Sequence, residues 1–129
     1  MAFASPPAPE GGPGDPHGFV LIVEDEPGIR TALAALVESE GFEVETAGDG
    51  REALAVLRRR PGSCLVLLDL MMPGMNGWQF LDECSRDVML APIPVVVVSA
   101  FEAPRGFRAV RKPIDFGHLA GILREYCVP

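Results

Sequence analysis

Four apolar runs in the sequence are each followed by a side chain that can ionise or donate a hydrogen bond. In chain order these side chains are Glu24, Asp25 and Glu26, then Asp69, then Ser99, and finally Lys112. A carboxylate at the end of a buried strand is costly unless it has a partner. Because functional groups collect at the carboxyl ends of parallel strands, the order of these residues indicates a single site.

The three carboxylates Glu24, Asp25 and Asp69 converge if the strands that precede them are neighbours in the sheet. Clustered carboxylates repel one another and raise each other's pKa unless a cation joins them. Oxygen ligands of this kind favour a hard divalent ion, Mg²⁺ first. With the hydroxyl of Ser99 and the ammonium of Lys112 on the same rim, the set is typical of phosphoryl transfer to an aspartate.

Apolar runs that suit buried strands alternate with segments of helical period from residue 19 onward. The predicted strands are residues 19–23, 42–47, 64–68, 94–98 and 107–110. The predicted helices carry the apolar stripes Ile29, Leu33, Leu36 and Val37; Ala53, Leu54 and Leu57; Trp78, Leu81, Cys84 and Val88; and Leu119, Ile122, Leu123 and Tyr126. Continuous apolar strands alternating with helices predict a doubly wound α/β sheet, parallel and covered on both faces.

Composition narrows the class of protein further. Residues 1–18 are rich in proline and glycine and predict a flexible tail, which leaves residues 19–129 as one domain. The net charge of −7 argues against non-specific nucleic-acid binding. We see no signal peptide and no membrane span, so we expect a cytoplasmic protein, with Cys64, Cys84 and Cys127 as reduced thiols.

Four segments together resemble the receiver domain of bacterial two-component response regulators, which is CheY-like. They are VLIVEDEPGIR (20–30), LVLLDLMMPGMNGWQFL (65–81), VVVVSA (95–100) and RKP (111–113). The resemblance implies a five-stranded parallel sheet in the order 2-1-3-4-5. It implies that Asp69 accepts a phosphoryl group from the phosphohistidine of a sensor histidine kinase or phosphotransfer protein.

The same resemblance implies a role for each further residue of the site. Glu24, Asp25 and Asp69 would hold Mg²⁺ together with the backbone carbonyl of Met71. Ser99 and Lys112 would contact the phosphoryl group, and the Lys112–Pro113 peptide would be cis. Pro73 and Gly77 match the loop and the helix start that follow the phosphorylated aspartate.

Two features depart from the family's pattern. Only twelve residues separate Ser99 from Lys112, which after the fifth strand leaves roughly eight for a crossover that needs about 10–12. Pro104 and Gly106 also oppose helix formation there, so we predict that the fourth helix is shortened or absent. Ala109 stands where the family usually has a switching aromatic residue, which Phe101 or Phe107 would have to replace.

These observations predict a single-domain response regulator that switches protein–protein contacts in a phosphorelay and has at most weak autophosphatase activity. The alternative is a scaffold of receiver fold that works without phosphorylation. A phosphatase of the haloacid dehalogenase type would need an aspartate at Met71, and a flavodoxin-like cofactor would be repelled by the acidic residues after strand one. The basic residues at 105, 108, 111 and 112 suggest docking of an acidic partner, with a solvated loop as the other interpretation.

Overall fold

A computed structural model describes residues 13–100 and 103–129 and contains one five-stranded parallel sheet. The strands are β1 (Phe19–Val23), β2 (Val44–Ala47), β3 (Ser63–Asp69), β4 (Val95–Ser99) and β5 (Arg108–Arg111). Their order across the sheet is β2-β1-β3-β4-β5. This confirms the predicted fold class and strand order.

Four helices flank this sheet, and each begins at a side chain that accepts hydrogen bonds from free backbone N–H groups. The helices are α1 (Pro27–Ser39), α2 (Gly50–Arg59), α3 (Gly77–Ser85) and α4 (Phe116–Tyr126). The capping residues are Glu26, Asp49, Asn76 and Asp115. Asn76 and Gln79 form a reciprocal capping box, which fixes the start of α3 just after the loop that follows β3.

The core consists of two apolar layers, one on each face of the sheet. One layer packs α2 and α3 against residues such as Leu21 and Val97, and the other packs α1 and α4 against residues such as Ile22 and Val110. All residues of β1 and β3 are buried. Their burial on both faces explains why these strands are continuous apolar runs.

The connection between β4 and β5 contains no helix within its described residues, 103–107. A turn occupies this segment, with Gly106 at a φ of +88°, a conformation that favours glycine. The short segment with its proline and glycine therefore forms a turn in place of the family's fourth helix, as predicted, within residues 103–107. The helix that the structure has after β5 is α4, the predicted final helix.

The apolar stripe predicted for the third helix is partly wrong. Trp78 is 43% exposed, and Val88 is 86% exposed and lies beyond the end of α3 at Ser85. Cys84 is buried as predicted and Leu81 packs against the core partly buried, while the buried face also carries Phe80, which the predicted stripe leaves out. Spacing alone does not distinguish two apolar stripes that are offset by one residue, because residues three and four apart lie on one face of a helix in both cases.

The prediction of three reduced thiols is wrong for Cys64 and Cys127, which form a disulfide. Their Cα atoms lie 5.7 Å apart, although 63 residues separate them in the sequence. Cys64 lies near the start of β3, and Cys127 caps the end of α4, so the bond ties the last helix to the central strand. Cys84 is a free buried thiol.

The described chain makes its first contacts with the domain before β1. Gly14 donates its N–H to the carbonyl of Ser63 at 2.9 Å, and the carbonyl of Pro16 accepts from Val128 at 2.6 Å. Residues 1–12 of the predicted tail lie outside the described part of the chain. Within the described residues, no helix has the length and apolar character needed to cross a membrane.

Candidate functional site

The sheet order brings the three predicted carboxylates together. β1 and β3 are adjacent and parallel, with Val23 opposite Leu68, so the residues that follow or end these strands lie side by side. Carboxylate oxygens of Glu24, Asp25 and Asp69 all lie within 4.8 Å of one another. Glu24 and Asp69 are 2% and 5% exposed. The predicted convergence of these side chains is therefore present in the structure.

Lys112 reaches the same cluster from the end of β5. Its Nζ lies 3.2 Å from Oε2 of Glu24 and 3.7 Å from Oδ1 of Asp69. The backbone N–H of Lys112 donates to the carbonyl of Ser99 at 3.0 Å, and the Lys112–Pro113 peptide is cis, as the resemblance implies. The lysine thus bridges two buried carboxylates that would otherwise repel one another.

The ionised forms of Glu24 and Asp69 are unfavourable in this setting. Burial raises the pKa of Glu24, the charge of Asp69 raises it further, and Lys112 opposes the shift. Burial likewise raises the pKa of Asp69, which Lys112 and the N–H of Met71 partly offset. One lysine therefore compensates the cluster incompletely, and the site retains a demand for positive charge.

We expect Asp69→Asn to stabilise the protein in EDTA by about 1–2 kcal/mol at pH 8, within the usual range for a point mutation. The raised pKa of Asp69 means that the folded state binds its proton more readily than the unfolded state. Ionisation of Asp69 therefore lowers stability, and this loss disappears as the pH falls below the folded-state pKa. Urea unfolding across pH 4.5–8 measures the difference between variant and wild type, which should shrink at low pH.

The exposed Asp82, paired with Arg86 on α3, supplies the control for this experiment. Asp82→Asn should change the free energy of unfolding little at any pH, because surface ion pairs contribute little. An Asp69→Asn variant that is less stable than wild type at pH 8 would contradict the account of a strained carboxylate cluster.

Two residues that sequence reasoning did not assign hold the acidic loop in place. Arg30 donates from Nη1 to the carbonyls of Glu24 at 2.9 Å and Asp25 at 3.3 Å. Glu26 is not one of the three clustered carboxylates and instead caps α1, accepting from the N–H groups of Gly28 and Ile29. These hydrogen bonds lower the pKa of Glu26. The sequence signal for this capping role is that Glu26 directly precedes Pro27, because proline favours the first position of a helix.

The loop after Asp69 is fixed by close backbone contact. A Cβ added to Gly77 would lie 2.7 Å from the carbonyl oxygen of Asp69, so only glycine lets α3 start here. The N–H of Gly77 donates to the carbonyl of Leu70 at 3.0 Å. Met71 donates its N–H to Oδ1 of Asp69 at 3.3 Å and is 56% exposed. The metal-binding role of its carbonyl stays a prediction.

A cavity of about 260 Å³ opens onto the cluster. Its walls include Asp25, Asp69, Met71, Ser99 and Lys112, and Glu24 also lines it. All six predicted site residues therefore border one cavity. Ser99 is buried at the end of β4. The opening gives a small anionic group access to Asp69, Ser99 and Lys112 at once.

The residues present fit a magnesium ion. Three carboxylates at one point supply oxygen ligands, which this hard cation prefers, and the open cavity leaves room for water and substrate oxygens. The cluster also retains a demand for positive charge, since burial keeps the pKa of two of its members raised. The chemistry of the donor set thus agrees with the predicted ion.

Comparison with protein families decides the kind of domain. The model of the response regulator receiver domain matches residues 20–121. The chain belongs to this family. The receiver match covers the acidic loop, Asp69, Ser99 and Lys112, so the features of the site fall within the matched region.

Relatives and solved structures agree with this assignment. Sensory transduction protein RegX3 of Mycolicibacterium smegmatis is 47% identical over 81 residues, covering 63% of this chain and 34% of RegX3. The receiver domain of the hybrid histidine kinase CckA is 34% identical with a TM-score of 0.74, over 86% of this chain and 100% of that one. Chemotaxis protein CheY4 of Vibrio cholerae is 27% identical with a TM-score of 0.76, over 84% and 98%. The chain spans about a third of the length of curated relatives such as RegX3.

This receiver has alanine, and no aromatic residue, at position 109, where the family usually has a switching aromatic residue. Ala109 is exposed on β5. Phe107 lies two residues earlier and is 38% exposed, while Phe101 lies outside the described residues. An inward swing of an aromatic side chain at position 109 is therefore unavailable to this protein.

Proposed function

We propose that this receiver accepts a phosphoryl group on Asp69 from the phosphohistidine of a sensor histidine kinase or phosphotransfer protein. An oxygen of Asp69 attacks phosphorus in line, an O–P bond forms, and the N–P bond to the donor imidazole breaks. The imidazole leaves and takes up a proton. The proposal places the reaction in the cytoplasm.

Glu24, Asp25, Asp69 and the carbonyl of Met71 would hold Mg²⁺. When bound, the ion neutralises charge on the phosphoryl oxygens. Lys112 contributes a second positive charge beside Asp69, since its Nζ already lies 3.7 Å from Oδ1. Ser99 faces the same cavity and would donate a hydrogen bond to a phosphoryl oxygen.

The single observation that carries the proposal is the geometry around Asp69. A buried carboxylate at a strand end has two carboxylates within 4.8 Å, a lysine within ion-pair distance and an open cavity in front of it. A structural ion pair would need neither the extra carboxylates nor the opening. Excess negative charge beside one lysine is a cation-binding arrangement.

The phosphorylated receiver would signal by changing its contacts with other proteins. Such a shift is limited by the difference in contacts between the two states. We expect no catalytic activity beyond slow loss of its own phosphoryl group, in which water attacks phosphorus and Asp69 is regenerated.

Phos-tag electrophoresis after incubation with acetyl phosphate and Mg²⁺ tests the proposal. We expect a shifted band for wild type and for the control Asp82→Asn, whose carboxylate lies on exposed α3. Asp69→Asn should give no shifted band, because the amide is not a nucleophile toward phosphorus.

The reverse result identifies the alternative. The mixture also contains a control receiver that is known to be phosphorylated. If the control shifts and wild type shows no band that depends on Asp69, the proposal is wrong and the protein is a scaffold of receiver fold.

A further inference from the structure

Strand β5 forms one edge of the sheet, and its outer side has no partner strand among the described residues. The N–H of Lys112 donates to Ser99 on β4. Because backbone groups of a strand alternate in direction, the N–H groups of Val110 and Arg108 also face β4, and those of Ala109 and Arg111 face outward. The edge therefore offers free donors and acceptors at Ala109 and Arg111.

One face of this edge is uncovered. Val110 packs against the layer formed with α1 and α4, so Ala109 and Arg111 lie on the opposite face. The connection from β4 has no helix within residues 103–107, and Phe107, Ala109 and Arg111 are exposed. The small side chain of Ala109 leaves room for a second chain to approach the edge.

The charge of this edge is opposite to that of the protein. Residues 103–114 contain four basic residues and no acidic one, in a chain of net charge −7. Arg108 pairs with Glu125 on α4. Among the residues that the structure describes, Arg105 and Arg111 are exposed and make no ion pair. The unsatisfied charge at the edge therefore comes from these two arginines.

A second copy of the chain is a poor occupant of this edge. A two-fold axis would pair β5 with itself in antiparallel fashion. In the register centred on Val110, Arg108 of each copy lies opposite Lys112 of the other. In the register centred on Arg111, the two Arg111 side chains lie opposite each other. Like charges directly opposite one another destabilise a strand pair. An extended segment with acidic side chains would instead satisfy both the backbone edge and the arginines.

We infer that the outer edge of β5 binds an extended acidic segment of a partner protein by strand addition. The segment hydrogen-bonds to the outward backbone groups of Ala109 and Arg111, and its carboxylates pair with Arg105 and Arg111. The connection from β4 has no helix within residues 103–107, which leaves this edge accessible. The inference concerns a surface outside the carboxylate cluster and does not depend on phosphorylation.

The test uses the full chain and two labelled synthetic peptides, one of alternating glutamate and valine and one of alternating lysine and valine. Fluorescence anisotropy measures binding. We expect the acidic peptide to bind, the basic peptide not to bind, and the affinity to fall with added salt, because exposed charges are screened.

Three variants separate strand addition from simple charge attraction. Ala109→Pro removes an outward N–H and spares the bonds to β4, because proline is tolerated at sheet edges, and should weaken binding at least about fivefold. Arg105→Glu with Arg111→Glu should weaken it at least about tenfold. Arg51→Glu, an exposed charge reversal on α2, should change it less than about twofold.

Circular dichroism melts and sedimentation complete the test. The variants should melt within a few degrees of wild type, and if Ala109→Pro fails to fold, an acidic peptide with N-methylated backbone replaces it as the test of strand addition and should bind at least about fivefold more weakly than the unmethylated peptide. Four binding results would each overturn the inference: undiminished binding in folded Ala109→Pro, undiminished binding in the double arginine variant, equal loss of binding in Arg51→Glu, or binding of the basic peptide. Formation of a β5-dependent dimer in place of peptide binding would overturn it as well.

Discussion

Changing Asp25 to asparagine is expected to lower the initial rate of Asp69 phosphorylation by acetyl phosphate at least about tenfold. Mutation of residues that only hydrogen-bond to metal ligands typically lowers metal affinity by about 10–100-fold. Asp25 would be a direct ligand, so its substitution should have at least this effect. The substitution keeps the shape of the side chain and removes one of the three charges that meet within 4.8 Å. The measurement is the rate at limiting Mg²⁺, together with the Mg²⁺-induced rise in melting temperature.

Both readouts should change together in this variant. Mg²⁺ binding to the folded state alone stabilises it by mass action, so a weaker site gives a smaller rise in melting temperature. Glu38→Gln, an exposed substitution near the end of α1, should leave both readouts as in wild type. Loss of phosphorylation with an unchanged Mg²⁺ response would contradict the assignment of Asp25 as a metal ligand.

Cys127→Ser is expected to lower the free energy of unfolding of the oxidised protein by about 3–4 kcal/mol. The disulfide closes a loop across a sequence separation of 63 residues, and cross-linking restricts the unfolded chain over that span. Urea unfolding with and without dithiothreitol measures the effect. Dithiothreitol should lower the stability of wild type by a similar amount and leave Cys127→Ser nearly unchanged.

The free thiol of Cys84 provides the matched control. Burial raises the pKa of Cys84 to about 12, so it stays protonated and takes little part in exchange. Cys84→Ser should therefore retain the full difference between oxidised and reduced protein. Equal stability of wild type with and without dithiothreitol would refute a stabilising Cys64–Cys127 bond. In a reducing cytoplasm Cys64 and Cys127 would stay reduced as two thiols. The protein would then have the lower free energy of unfolding of the reduced form.

The parts of the fold that the sequence predicts are those in which local pattern and burial agree. β1 and β3 are buried on both faces, so their apolar runs are unambiguous. The ends of these runs then identify Glu24, Asp25 and Asp69, because parallel strands bring their carboxyl ends to one edge. The short, proline-containing link before β5 similarly predicts that no crossover helix forms, and residues 103–107, which the structure describes, contain none.

Features created by packing between distant segments were not predictable in this way. The approach of Cys127 to Cys64 depends on where α4 ends against the sheet, which no local spacing records. Arg30 acts through the backbone of Glu24 and Asp25, so its role follows from the turn of the chain after β1. The buried face of α3 depends on the frame set by the Asn76 cap and the close contact at Gly77.

The location of the transferred phosphoryl group tests the central claim most directly. The protein is incubated with an autophosphorylated histidine kinase that phosphorylates it, then treated with borohydride, which reduces an aspartyl phosphate to homoserine, and its peptides are sequenced by mass spectrometry. The account predicts homoserine at position 69, and no modified peptide when Mg²⁺ is chelated. Homoserine at another acidic residue, or transfer that persists in Asp69→Asn, would contradict it.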